Sequence, residues 1–175
     1  MIQMRKEGDT FLKQLFEVMP YNTIMAEIGC YQGESTSIFA SFEKVYKIYA
    51  IDPWVNGYDN KDEASFQFPM SEVEKSFDDR TKNNSKIVKL KMKSEEAVQL
   101  FNNGTLDLVY IDGLHTYEGV KNDIIIWLPK VKEGLYIGGH DYLNPCGVKE
   151  AVNELFGQPD RVFGDSSWIK KKVKQ

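Results

Sequence analysis

Cysteine is nearly absent from this chain. There are two, Cys30 and Cys146, and neither has metal-type spacing to the other, which fits a reduced cytoplasmic protein. No apolar run reaches membrane-spanning length, and the opening residues hold no apolar core of signal-peptide length, so neither a membrane span nor a secretory signal is expected. Positive charge is not concentrated: the net charge is −4, and lysines and glutamates are scattered, so nucleic acid is not expected as the main partner. The Lys170-Lys171-Lys172 run with Lys174 reads as a solvated strand end. Internal repeats, linkers and low-complexity segments are also missing. At 175 residues the chain is one domain by size, 1–175, with enough length for a proper core.

What is present is organised around Ile24 to Thr36, Ile-Met-Ala-Glu-Ile-Gly-Cys-Tyr-Gln-Gly-Glu-Ser-Thr. An apolar run carries one acid, Glu27, breaks at Gly29, and turns through Gly33 into a segment with Ile38, Phe39 and Phe42 at helical spacing. This predicts a buried strand, a tight turn and a helix entered at its N-terminus. Glycine leaves room for close approach of a ligand, and the helix start offers free N–H groups. On this reading Gly29→Val fills the ligand's space and leaves the protein folded. A dinucleotide fingerprint needs a glycine where Tyr31 stands, so the expected ligand places no pyrophosphate in this turn. Asp52 ends the next predicted strand, Val45 to Ile51, roughly 20 residues on, where an acid in such a fold reaches ribose hydroxyls.

Along the chain, Asp9 is expected to cap a first helix with Leu12, Leu15, Phe16 and Met19 on one face. Pro53 to Pro69 dissolves into polar residues and aromatics and reads as a lid-like loop, about 53–70. A helix is predicted over 71–80 and a strand over 86–92. A helix capped by Ser94 should run to Asn102. Leu106 to Ile111 is a strand, followed by a helix with Val120, Ile124, Trp127, Leu128 and Val131 buried. A strand over 135–139 and a helix opened by Pro145 come next. Two short strands around Gly164-Asp165-Ser166 close the chain. Such alternation implies a parallel sheet with helices on both faces.

Three motifs fall in order at predicted strand ends: Glu27-Ile-Gly-Cys-Tyr-Gln-Gly33-Glu-Ser-Thr, then Asp112-Gly-Leu-His115 with Tyr117, then His140-Asp141-Tyr142. Together they resemble class I S-adenosylmethionine-dependent methyltransferases, in the branch with Asp-Gly-x-His after the fourth strand and His-Asp-Tyr after the fifth. The resemblance covers about residues 20 to 145. It implies a Rossmann-like α/β fold, a mostly parallel seven-stranded sheet closed by an antiparallel C-terminal hairpin. It also implies S-adenosylmethionine held by Glu27, Gly29, Cys30, Tyr31, Gly33 and Ser35, with Asp52 on the ribose. Trp54 or Met92 would flank adenine, with Ser94 near the base and Asp112 beside the cofactor.

Some relatives bind a divalent cation through the acid after strand four and two residues after strand five, with the Asp-Gly-x-His histidine as base. Asp112 and Asp141 match two ligand positions and His115 matches the base. His140 stands where those relatives carry an acid, and an imidazole there weakens a magnesium site or favours manganese. The reaction implied is O-methylation of a small hydroxylated molecule, with Asp112 and His115 as the catalytic pair. Two rival readings remain at this stage: a non-catalytic cofactor-binding subunit, and a nucleotide-sugar or dinucleotide enzyme on a similar sheet. Substrate binding by so short a chain is compatible with a homodimer.

Overall fold

The computed structural model describes residues 11–59 and 64–173, without the side chains of 64 and 65. Asp9, the expected cap, lies outside them. A helix over 11–17 (α1) leads to β1 (Thr23–Ile28), α2 (Glu34–Ser41) and β2 (Val45–Asp52). A four-residue turn of helix, α3 (Ala64–Gln67), precedes α4 (Met70–Thr81), β3 (Ile87–Lys91) and α5 (Ser94–Ala97). Then come β4 (Leu106–Ile111), α6 (Tyr117–Trp127), β5 (Val131–Gly139), α7 (Val148–Phe156), β6 (Arg161–Val162) and β7 (Trp168–Lys171).

The seven strands form one sheet in the order β3-β2-β1-β4-β5-β7-β6. The first five are parallel, and β7 runs antiparallel to both β5 and β6. Helices cover both faces, so the central strands are buried throughout rather than alternating with solvent. Alternation still sorts their side chains between two cores. Ala26, Ile28, Val109 and Ile111 pack with Val120, Ile124 and Trp127 of α6 and Ala151 of α7. Met25, Leu108 and Tyr110 pack on the opposite face with Leu15 and Phe16 of α1 and Phe39 of α2. The one acid inside β4, Asp107, is accounted for: it accepts from the Ile24 N–H at 2.8 Å and from Lys132 Nζ at 2.8 Å.

Four expectations need correcting. Val131 belongs to β5, not to α6: the helix ends at Trp127, a 3-10 turn spans Leu128–Lys130, and Pro129 cannot continue an α-helix. β5 starts four residues early because a register shift separates Val131, opposite Leu106, from Tyr136, opposite Leu108, with Gly134 at φ 78° between them. Ser94 is not a cap. Lys93 occupies that position, its N–H donating to the Glu96 carboxylate at 3.2 Å, and α5 gives way to a 3-10 turn at Val98. Finally, α7 begins at Val148 after Gly147, not at Pro145.

Candidate active site

The strand order reverses between β1 and β4, and at such a switch point the loops from neighbouring strand ends diverge and leave a crevice. Here the crevice is a cleft of about 1310 Å³. That exceeds the usual 300–1,000 Å³ of a ligand pocket. The strand ends beneath it are laced together. The Gly29 N–H donates to Ile51 O at 2.9 Å, the Asp112 N–H to Ile28 O at 2.7 Å, and the His140 N–H to Ile111 O at 3.1 Å.

One side of the cleft is the turn from β1 into α2. The Gly33 N–H closes it on Cys30 O at 2.7 Å, and Gly33 starts the helix at φ 77°. Cys30, Tyr31 and Ser35 line the cleft, as does Gly29. Both glycines are required by the protein itself. A Cβ on Gly29 would lie 2.1 Å from the backbone oxygen of Asp112, at φ 84°, and one on Gly33 would lie 2.8 Å from the Phe77 ring. The expectation that Gly29→Val leaves a folded protein is therefore overturned. The added side chain would meet the backbone of the next strand's end before reaching any ligand.

Glu27 is fully buried and does not line the cleft. Its carboxyl oxygens accept from Ser35 Oγ and Thr36 Oγ1, each at 2.5 Å, so it pins β1 to the first turn of α2. Burial pushes its pKa up from 4.5 to about 7, against the pull of those two hydroxyls. Asp52 does line the cleft. Its Oδ2 takes the N–H groups of Cys30 and Tyr31, each at 3.0 Å, and its Oδ1 takes that of Trp54 at 2.8 Å. Three donors leave a carboxylate with acceptor capacity to spare, so Asp52 can both hold the turn and accept from a ribose hydroxyl. Burial raises its pKa and the three N–H groups oppose that.

Trp54 is turned away from the cleft. Its Nε1 donates to Tyr31 O at 2.9 Å, and its ring packs on Phe77 with Lys89 Nζ 4.8 Å above it. Met92 packs into the core beneath α6 and is likewise no part of the cleft wall. Ser94 is a wall residue: its hydroxyl takes the Trp127 indole N–H at 2.8 Å and donates to Asp123 Oδ1 at 2.5 Å. Asp123 and Tyr58 also line the cleft and were not singled out from sequence. For Asp123 the only sequence signal was an acid on the otherwise apolar face of α6.

On the other side, β4 and β5 deliver Asp112, His115, His140 and Asp141. The Thr116 hydroxyl caps α6 by accepting from the Gly119 N–H at 3.1 Å, and this orients His115 back over the strand ends. His115 Nε2 lies 3.0 Å from Asp141 Oδ2 and 3.4 Å from Asp112 Oδ1, and its Nδ1 lies 3.7 Å from Asp59 Oδ2. Asp141 sits at φ 64°, a conformation a non-glycine residue rarely adopts and one that recurs at functional sites. The Leu143 N–H holds that turn by donating to Ser166 Oγ at 2.8 Å.

The Asp112 and Asp141 carboxylates, accepting from the imidazole, push the His115 pKa up to about 11, which favours the imidazolium. For His140, burial opposes protonation, but the Asp141 hydrogen bond and the surrounding carboxylates prevail and raise its pKa to about 9. Asp141 is held below the usual carboxylate range: burial acts against this, and the two histidines outweigh it.

Ligand atoms of Asp112, His115 and Asp141 all lie within 4.8 Å of one another, a spacing a single metal ion can bridge. His140 is not in that set. Its Nδ1 lies 3.2 Å from Asp141 Oδ1, which makes it a partner of one candidate ligand. Tyr117 and Tyr142 pack and hydrogen-bond elsewhere, to Glu154 and to Asn153.

The profile of a family described as a methyltransferase domain matches residues 26–142, which takes in the turn, Asp52, the Asp-Gly-x-His stretch and Asp141. No curated protein matches the sequence. Among solved structures, the O-methyltransferase NovP superposes with a TM-score of 0.68 at 15% identity, over 99% of this chain and 81% of that one. An O-methyltransferase from Bacillus cereus, solved in complex with SAH, gives 0.61 at 16% identity, over 93% and 78%. An rRNA methylase from Streptococcus thermophilus gives 0.61 at 15% identity, over 95% of each chain. At these identities the likeness shows the shared fold.

Proposed function

The chain belongs to the methyltransferase-domain family and is an S-adenosylmethionine-dependent methyltransferase, and from that premise we propose that it methylates an oxygen of a small hydroxylated acceptor. The observation that carries this reading is the convergence of Asp112, His115 and Asp141, with Asp112 and His115 on the wall of the cleft that the glycine turn also lines and Asp141 in the adjoining pocket that shares His115. The O-methyltransferases among the structural relatives support the choice of oxygen. Acidic side chains outnumber Arg80 and the two histidines together in the described lining, which suits a positively charged sulfonium and disfavours an anionic acceptor.

In this mechanism the turn and Asp52 position the cofactor. The cofactor's sulfonium would supply the methyl group to the acceptor oxygen, and His115 would take the acceptor's proton. An imidazolium cannot do so, and the carboxylates that protonate His115 are the ones a cation would occupy. Two carboxylates and an imidazole suit a divalent ion such as manganese or magnesium, and we place it on Asp112 and Asp141. When bound, such an ion supplies charge that lowers the pKa of a coordinated hydroxyl. His140 holds Asp141 in place.

A second reading makes His115 the third ligand, which the 4.8 Å grouping favours. Calorimetric titration of manganese into His115→Ala separates the two. Unchanged metal affinity with lost turnover supports the base. Affinity lost together with turnover makes His115 a ligand. Full turnover of the wild type in chelator removes the metal from the proposal.

A further inference from the structure

The carboxyl end of the sheet extends past the catalytic cluster. Because β7 runs antiparallel to β5, its start lies beside the end of β5, with Trp168 opposite Gly139. The turn that precedes it, 163–167, comes to the same end, and Asp165 and His140 share the cleft lining. Hydrogen bonds fix this turn. The Phe163 N–H donates to Ser167 O at 2.8 Å, and the Tyr110 hydroxyl lies 2.8 Å from Ser167 Oγ. Ser166, buried and at φ 77°, takes the Tyr142 N–H on its carbonyl at 3.0 Å and the Leu143 N–H on its Oγ at 2.8 Å. Asp141 and Ser166, two non-glycine residues in left-handed conformations, therefore sit in turns tied to each other.

What the turn presents is the half-buried carboxylate of Asp165. Its Oδ1 accepts from the Ser167 N–H at 3.0 Å, and one donor leaves a carboxylate with acceptor capacity for a ligand. Its charge reaches His140. Burial opposes protonation there, and Asp165 joins the Asp141 hydrogen bond and the Asp112 and Asp141 charges in raising the pKa. Along the sheet edge Asp52 ends β2, Asp112 follows β4, Asp141 follows β5 and Asp165 precedes β7. With the cofactor on the glycine turn and Asp52, Asp165 stands beyond the cluster, on the side left to the acceptor. Among the described residues that line the cleft and the adjoining pocket, Arg80 is the one lysine or arginine, and Gln32 O and Glu34 hold it at the turn. A group that carries positive charge and only donates suits such a wall. A hydroxyl gains less from it, and a carboxylate is repelled.

We propose that the acceptor is an amino alcohol, and that Asp165 pairs with its ammonium group while the neighbouring hydroxyl is methylated. The inference rests on the O-methylation reading above and makes Asp165 a specificity-determining residue. Kept protonated by that pairing, the nitrogen has no lone pair to offer, so oxygen is the nucleophile. The hydroxyl oxygen gains the methyl group and gives its proton to His115, the cofactor is left as a neutral thioether, and the ammonium keeps its protons.

The test uses probes on one skeleton: trans-2-aminocyclohexanol, trans-cyclohexane-1,2-diol and trans-2-hydroxycyclohexanecarboxylate, which are cationic, neutral and anionic at neutral pH. With manganese supplied, formation of S-adenosylhomocysteine gives kcat/KM, and mass spectrometry of the product gives the methylated atom. A hydrogen bond between charged groups corresponds to roughly 10- to 100-fold in affinity, so the wild type should favour the amino alcohol over the diol by about that ratio, chiefly through KM, with the anion last. Asp165→Asn keeps an acceptor for the Ser167 N–H and removes the charge, so the ratio should collapse towards one. A structural role alone would lower the thermal midpoint and slow both probes alike, and an unchanged ratio overturns the proposal. A methyl group found on nitrogen overturns it as well. Should Asp165→Asn fail to fold, the wild-type ratio decides. If the wild type binds no S-adenosylhomocysteine by calorimetry, the cofactor reading falls and this inference with it. If it methylates the diol as readily as the amino alcohol, or binds S-adenosylhomocysteine and methylates none of the probes, only this inference falls.

Discussion

The two sides of the cleft handle charge in opposite ways. On the turn side, Glu27 and Asp52 are both buried acids, and both are tied up by donors from their own chain: two hydroxyls for one, three backbone N–H groups for the other. That side is complete as protein. On the other side Asp112, Asp141 and Asp59 crowd one imidazole, and Asp141 is held in a left-handed backbone conformation. Protons on His115 and His140 balance only part of that charge. The difference separates two jobs: the turn is preorganised to place a cofactor, and the cluster is built to respond to whatever charge enters it.

The contrast can be broken most forcefully at Gly29. Gly29→Val forces a side chain into the Asp112 backbone at a positive φ, so cooperative thermal unfolding should be lost altogether. A folded variant that merely fails to bind cofactor would show the turn to have slack it is not expected to have. His115→Ala should do the reverse: the protein folds, cofactor affinity holds, and turnover falls ~100- to 10,000-fold. Steady-state rates beside calorimetry with S-adenosylhomocysteine read both.

Glu27→Gln sharpens the turn side. The carboxyl pKa is about 7 in the folded chain against an ordinary value of 4.5, so the fold favours the protonated form. Its contribution is complete below pH ~4.5 and is lost as pH rises through about 7, a loss of about 3 kcal/mol. Denaturant titrations across that window should show the wild type weakening. Glu27→Gln should show a shallower slope, the remainder coming from Asp123, raised by burial to about 7, and from Asp52, which burial raises in the same direction. An equal slope in both proteins would mean Glu27 is ionised throughout. The smallest effect is expected at Arg80, which reaches over the turn from α4 to Gln32 O and Glu34. Both partners of that ion pair are substantially exposed, so Arg80→Ala should cost at most ~1 kcal/mol, and less in high salt.

The turn, the strand alternation and the three motifs were legible because they rest on local signals: glycines at a break, apolar runs of strand length, acids at strand ends. Where local signals misled, a neighbour had overridden them. Val131 continues a helical stripe in sequence, yet Pro129 stops the helix and a bulge at Gly134 lets β5 reach back. Trp54 has the aromatic face an adenine wall needs, but Phe77 and Lys89 claim it. Glu27 has the spacing of a ligand contact, and its acceptors are filled by hydroxyls from the following helix.

The sequence by itself determined the element order, the parallel sheet, the family, and which strand ends would carry acids and histidines. Side-chain period and turn chemistry are properties of adjacent residues, and they survive without knowledge of the fold. Only the tertiary structure decided which groups meet: that His115, not His140, falls between Asp112 and Asp141, that Gly29 is required by the backbone of Asp112, and that Asp123 arrives at the cleft through Ser94. Those outcomes depend on how β1, β4 and β5 lie side by side and how α6 is rotated above them. No spacing along the chain encodes such relations, because hydrogen bonds and ion pairs are set by distances of a few ångströms between residues tens of positions apart.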